Sequence, residues 1–417
     1  MKIAEGVNLY VDRINKFKTT SINVYVHEEL GDNASKFALI PSVLKRGCNG
    51  YPTYRDITRY LEGLYGASLR VGVGKKGERQ FIQFNMEVVD GRYAGEDTFT
   101  KAVDFICRIL TQPVLENGHF KKSYVDIEKQ NQVNQIKSRI NDKTAYAVER
   151  CFEEMCKGEK FAIDRLGTQE MTQAIDEKNL YDYYRDVLAS NPIDIIVTGD
   201  VGEDEVEAIV RNAFNFAREG VKPIAPTAVV HYVDRVKEVV DRLDVTQGKL
   251  SLGFRTNVLP DSPDYFKLVV YTGILGGGPH SKLFANVREK ASLAYYAFAR
   301  LERYKGLMVI SSGIDVDNYH KALDIINQQL EDIKAGRISN YEYESTIKAI
   351  ENSVKSMTDS AFQRADFVLS ESIVGTNYSF DEYLQRVRSV TISDVVDVAR
   401  RIQLDTIYFM RNKEGAK

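Results

Sequence analysis

The sequence predicts an α+β protein of two homologous domains, each a mostly antiparallel sheet with helices packed on one face. Three observations carry that prediction. At 417 residues the chain exceeds one ordinary hydrophobic core and suits two domains of about 200 residues each. Within each half, strands joined by short turns are followed by helices gathered in a run, which is an α+β pattern and not the βαβ alternation of a parallel sheet. The order of elements then recurs at an offset of roughly 220 residues, too long for a solenoid unit and right for a duplicated domain.

The first half opens on a strand pair, 7–11 and the alternating run 21–26. An apolar helix is predicted over 34–45, stopped by Gly47, and a second over 54–64, stopped by Gly66, because glycine loses the most backbone freedom on ordering. Strands follow at 68–73 and at 80–89, where FIQFNMEVV alternates with period two. Helices are predicted at 95–110, 117–139, 143–155 and 171–187, then a strand at 194–198 and a helix at 203–217.

Residues 219–230, EGVKPIAPTAVV, carry two prolines and little periodicity, as a linker does. The expected division is therefore 1–218, a linker at 219–232, and 233–417. In the second half a strand at 249–255, helices at 265–275 and 281–291, strands at 294–301 and 307–314, helices at 318–335 and 340–357, and a closing strand at 405–410 repeat the first.

The net charge of −3 with 28% charged residues gives no basic excess of the kind that binds phosphate backbones, which excludes nucleic acid as a partner. No segment reaches the roughly 18 apolar residues of a membrane span, and the N-terminus has no signal-type apolar core, so the expected location is the cytoplasm. Cys48, Cys107, Cys151 and Cys156 are too scattered for a disulfide framework and read as buried small hydrophobes.

Several motifs are excluded on chemical grounds. Gly72, Gly74 and Gly77 match G-x-G-x-x-G, but a strand follows where a phosphate-binding helix N-terminus is required, so a hairpin turn is expected. No two of His27, His119, His231, His280 and His320 lie within five residues of each other. That rules out H-E-x-x-H and H-x-x-E-H, whose histidines sit one helical turn apart to face one zinc ion. No nucleophile motif is present, and Glu62, Glu87, Glu128 and Glu149 are single carboxylates expected at the solvated surface.

The stretch 274–296, ILGGGPHSKLFANVREKASLAYY, is more informative. Gly276, Gly277 and Gly278 mark a loop where something approaches the backbone closely. Nothing there completes a phosphate-binding G-x-x-x-x-G-K-[ST], and His280 is either a ligand contact or an ordinary loop residue. Leu283, Phe284, Val287 and Ala291 share a helical face, while Arg288 and Tyr295 project beyond it. Spacing alone leaves Arg288 as a surface ion pair and Tyr295 as a packed strand aromatic, or both as parts of a site.

With the duplicated halves, the run S-x-L-F-x-x-V-R-E-x-x-x-L-A-Y, from Ser281 to Tyr295, resembles the pitrilysin/insulinase-type (inverzincin) metallopeptidases, in particular their short two-domain processing-peptidase subfamily. The first-half segment DRLGTQEMTQAIDEKNLYDYY followed by IDIIVTGDV resembles the same family. The resemblance implies H-x-x-E-H on the first long helix, with a later glutamate completing a zinc site. Aligning VLKRG puts Ala38, Leu39, Ile40, Pro41 and Ser42 at the motif and Gln135 at the later glutamate, so the chain resembles a non-catalytic, zinc-less member.

The same resemblance implies that Arg288 and Tyr295 act in trans, with Gly276, Gly277, Gly278 and His280 binding substrate. The expected partner is a zinc-bearing H-x-x-E-H paralogue in a heterodimer, or else a second copy in a homodimer, and the expected substrate is an unstructured peptide. No cofactor is expected in this chain, and zinc is expected on the partner. The alternative implied by the family is a non-enzymatic peptide-binding or scaffold protein, like its non-catalytic members in respiratory complexes. Paired zinc-less and zinc-bearing relatives also occur in association with 5-aminopentanol modification of elongation factor P.

Overall fold

The computed structural model describes residues 1–230 and 232–413; His231 lies outside the described residues. Two sheets form. The first runs in the order Lys2–Ala4, Val7–Arg13, Ile193–Gly199, Thr19–Glu29, Arg79–Val89, Ser68–Lys76. Its neighbours are antiparallel except Val7–Arg13 with Ile193–Gly199. The second runs Ala294–Glu302, Leu307–Ile314, Gly248–Arg255, Gln403–Asn412, Lys237–Leu243, and again only the last pair is parallel. Read from the opposite end, five strands of the first sheet follow that same order, so the duplication extends to topology and to its one parallel pair.

The strand pattern explains the cores. In Thr19–Glu29, Ile22, Val24 and Val26 face a core that also holds Phe37, Leu39, Phe84, Phe105 and Ile106. Tyr25 points the other way, yet it too is buried, against Phe81, Ile196, Ala365 and Leu369. The last two belong to helix Ala361–Val374, far along the chain. The second sheet is built alike: Leu250 and Leu252 face its main core, while Tyr408 and Met410 on the other side meet Ala147 and Cys151 of helix Lys143–Met155.

The compact units consequently differ from the contiguous division expected at 219–232. One comprises Met1–Lys137, Ile163–Pro226 and Thr358–Ile373; the other comprises Ser138–Ala162, Thr227–Met357 and the chain from Val374 onward. An amphipathic helix announces that a face is buried but not against which sheet, so sequence order does not give the compact unit to which either helix belongs. Charge fixes each in place. Arg364 grips Asp12 with two hydrogen bonds of 2.6 and 2.5 Å. Just after Lys143–Met155, Glu159 pairs with Arg255 and Lys305, each at 2.7 Å, and Arg255 also holds Asp405 at 2.8 Å.

Three predicted helices start or break elsewhere. The one expected at 95–110 is Gly91–Ala94 and Thr98–Thr111, parted by Gly95 at φ 75° and capped by Asp97. The one expected at 117–139 is Lys122–Ser138, because Asn117 and Gly118 turn with positive φ between the short strands Leu115–Glu116 and His119–Phe120. Asp176 caps Glu177–Ser190 and divides it from Gln169–Gln173. The glycines at 72–77 lie in the hairpin of Ser68–Lys76 and Arg79–Val89, with Gly77 turning at φ 61°. All four cysteines are buried and free.

Candidate functional site

Helix Tyr265–Gly276 ends against the strand Ala294–Glu302. A Cβ on Gly276 would stand 2.2 Å from the backbone nitrogen of Ala299 and 2.8 Å from the carbonyl carbon of Phe298. The close approach expected of this loop is thus made by the protein's own strand at Gly276. Gly277 continues the turn, where a Cβ would meet Gly273 at 2.7 Å, while the nearest neighbour of Gly278 is the His280 imidazole at 3.4 Å. His280 is half-buried, and its Nε2 has no hydrogen-bond partner among the described residues. Burial lowers its pKa, with the charge of Glu342 a smaller opposing influence.

The following helix is held by Leu283 and Val287, both fully buried, and by the ion pair of Lys282 with Glu342 at 2.9 Å. Residues Phe284–Lys290 form a widened, π-type turn, in which the Ala291 N–H reaches back to Asn286 at 3.3 Å. Such widenings occur mostly as single turns and often at functional sites. Arg288 leaves this turn with 43% of its side chain exposed, over the Phe284 ring at 4.6 Å and 3.7 Å from the Glu289 carboxylate.

Ser292, at φ 50°, redirects the chain into the strand. The pairing register then shifts between Ala294 and Tyr296, which breaks the alternation at Tyr295: Tyr296 is partly buried, stacked on Phe298 at 5.7 Å, and Tyr295 is exposed. Tyr295 is 70% exposed and its hydroxyl makes no hydrogen bond among the described residues. The strand bearing it is the edge of its sheet. The structure therefore does not pack Tyr295 as a strand aromatic; it leaves both Arg288 and Tyr295 reaching into solvent from consecutive elements.

The other half of the expected site is chemically different. Ala38 and Pro41 lie buried in helix Ala34–Leu44 and offer no metal donor, and Ser42 offers only a hydroxyl. Gln135 is exposed on Lys122–Ser138; Gln132 on that helix instead donates to the carbonyls of Ser35 at 3.0 Å and Leu166 at 3.1 Å. These residues do not fit zinc. Among the described residues no three His, Cys, Asp or Glu side chains are grouped as a metal site requires.

Glu128, expected at the solvated surface, is instead 9% exposed. It accepts from Arg46 and from the Asn131 amide at 3.1 Å, because its helix packs beside Ala34–Leu44 and a buried carboxylate needs such partners. Around it lies a cleft of about 360 Å³ lined by Ser42, Lys45, Arg46, Tyr54, Val71 and Glu128. Sequence reasoning missed this cleft; the adjacent Lys45 and Arg46 at the end of the first helix were the available signal. Among the described residues no helix is long and apolar enough to cross a membrane.

Residues 174–350 match the family described as "Peptidase M16 inactive domain". The chain is 34% identical over 416 residues to the Bacillus subtilis (strain 168) protein "Probable inactive metalloprotease YmfF", covering 99% of this chain and 97% of that one. The crystal structure of a conserved protein from Enterococcus faecalis V583 superposes with a TM-score of 0.93 at 30% identity, covering 100% and 99% of the two chains. The peptidase M16 inactive domain from Pseudomonas fluorescens shares the fold at a TM-score of 0.80 and 15% identity, covering 99% and 98%. With a relative this similar over its full length, and with no zinc ligand at the motif positions, the chain belongs to the peptidase M16 family as an inactive, metalloprotease-like member.

Proposed function

We propose that the chain is the non-zinc subunit of a heterodimeric zinc metallopeptidase of the processing-peptidase kind, working on unstructured peptides in the cytoplasm. In this reading a paralogue supplies H-x-x-E-H and the zinc. This chain supplies Arg288, Tyr295 and the loop of Gly276, Gly277, Gly278 and His280. The observation that supports it is that the Tyr295 hydroxyl and Arg288 are both exposed on consecutive elements, in a chain whose own motif positions hold Ala38, Pro41 and Ser42.

Each residue has chemistry to offer. Peptide hydrolysis passes through a tetrahedral oxyanion, and a phenol hydroxyl aimed at it is a preorganised donor. The Arg288 guanidinium holds a substrate carbonyl and does not lose its proton. Gly277 and Gly278 carry no side chain of their own, which lets a peptide backbone pass close to the loop beside the His280 imidazole.

The experiment is reconstitution with the H-x-x-E-H paralogue encoded by the same genome. The mixture is expected to form a stoichiometric complex that cleaves an unstructured peptide, with neither chain active alone. A stable complex with peptide binding but no cleavage under any pairing would instead establish a scaffold.

A further inference from the structure

We propose that the cleft at the end of helix Ala34–Leu44 binds a peptide carboxylate, with the Lys45 ammonium as its counter-charge. The chemistry follows from how the charges there are used. Two cations, Lys45 and Arg46, line the cleft against one carboxylate, Glu128. Both oxygens of Glu128 are already engaged, one by Arg46 and the other by Asn131. Lys45 is left over: half-buried, it makes no hydrogen bond or ion pair through its ammonium among the described residues, and it lies 5.8 Å from the centre of the Tyr54 ring.

A partly desolvated ammonium beside the Tyr54 ring, whose nearby carboxylate Glu128 is already bonded to Arg46 and Asn131, is stabilised by an incoming anion, since charge removed from water is costly until it is paired. The Tyr54 ring and Val71 give the cleft an apolar wall for a side chain next to that anion, and 360 Å³ lies in the range of small-ligand clefts. A peptide presenting a carboxylate, terminal or on a side chain, matches both features. Lys45 follows the last turn of the helix, where a cation also complements the helix dipole. A dipole role alone would give no preference among ligands.

The inference concerns residues of one unit and is tested without the paralogue, so it stands or falls separately from the role assigned to Tyr295. Fluorescence anisotropy on the full chain compares three labelled hexapeptides of Ala, Gly and Leu. One has a free C-terminal carboxylate, one is its carboxamide, and one is the carboxamide carrying a single internal glutamate. At least one acidic peptide is expected to bind about tenfold or more tighter than the neutral carboxamide, and the tighter of the two identifies the source of the carboxylate. Lys45→Met is expected to erase the preference and Lys45→Arg to keep it. Equal binding of all three peptides, no binding, or a preference that survives Lys45→Met in a folded chain would overturn the proposal. The first comparison uses the unaltered chain, so a misfolded variant does not remove the test.

Discussion

Tyr295 and Glu159 show how differently two polar side chains are used by the same fold. Among the described residues nothing holds the Tyr295 hydroxyl, so removing it in Tyr295→Phe is expected to change unfolding free energy by no more than about 0.5 kcal/mol, measured by urea denaturation. Glu159 is the reverse case. Burial raises its pKa, but the hydrogen bonds and charges of Arg255 and Lys305 outweigh burial and hold it below its ordinary value of 4.5. A carboxylate with a depressed folded pKa contributes stability above its unfolded pKa and loses it as the pH falls through the folded value. Glu159→Gln should therefore cost about 1–3 kcal/mol near neutral pH, by removing the negative charge that Arg255 shares with Asp405 and that Lys305 pairs with, and should flatten the loss of stability below about pH 4.5. An equal loss at pH 3 and pH 7 would contradict this. Single carboxylates were the least legible residues in the sequence. Glu128 and Glu159 look like ordinary helix or loop glutamates until packing supplies their arginines.

Gly276 makes one junction between elements unforgiving. Its backbone touches the strand behind it, so Gly276→Ala must displace either the helix Tyr265–Gly276 or Ala299, at an expected cost of about 1–3 kcal/mol in thermal or urea unfolding. Helix Ala361–Val374 closes the second face of the first sheet, and Leu369→Ala there is expected to cost about 2–5 kcal/mol, with a change below 1 kcal/mol contradicting its place in the core. The elements themselves were largely legible because strands such as Thr19–Glu29 alternate and the glycines and capping aspartates punctuate the rest. The widened turn Phe284–Lys290 was not, since a one-residue slip in helical hydrogen bonding leaves the apolar spacing of Leu283 and Val287 nearly intact. Pro41 is a related case. It denies an N–H to the Phe37 carbonyl inside a helix that forms regardless, because nine of its eleven residues are buried by tertiary packing.

Across the whole chain, duplication was readable from the order of elements, and the matching strand orders of the two sheets bear it out. The composition of each unit was not readable, because Lys143–Met155 and Ala361–Val374 bury faces against sheets distant in sequence. The loss of the zinc ligands was legible from five dispersed histidines, whereas the charged cleft at Lys45, Arg46 and Glu128 required the packing of two helices. The account's central claim is that this chain completes another chain's active site through a residue its own fold does not need. The most direct measurement is peptide cleavage by the reconstituted pair carrying Tyr295→Phe in this chain. Turnover about a hundredfold lower, with complex formation and stability unchanged, is the predicted result; turnover equal to that of the unaltered pair would contradict it.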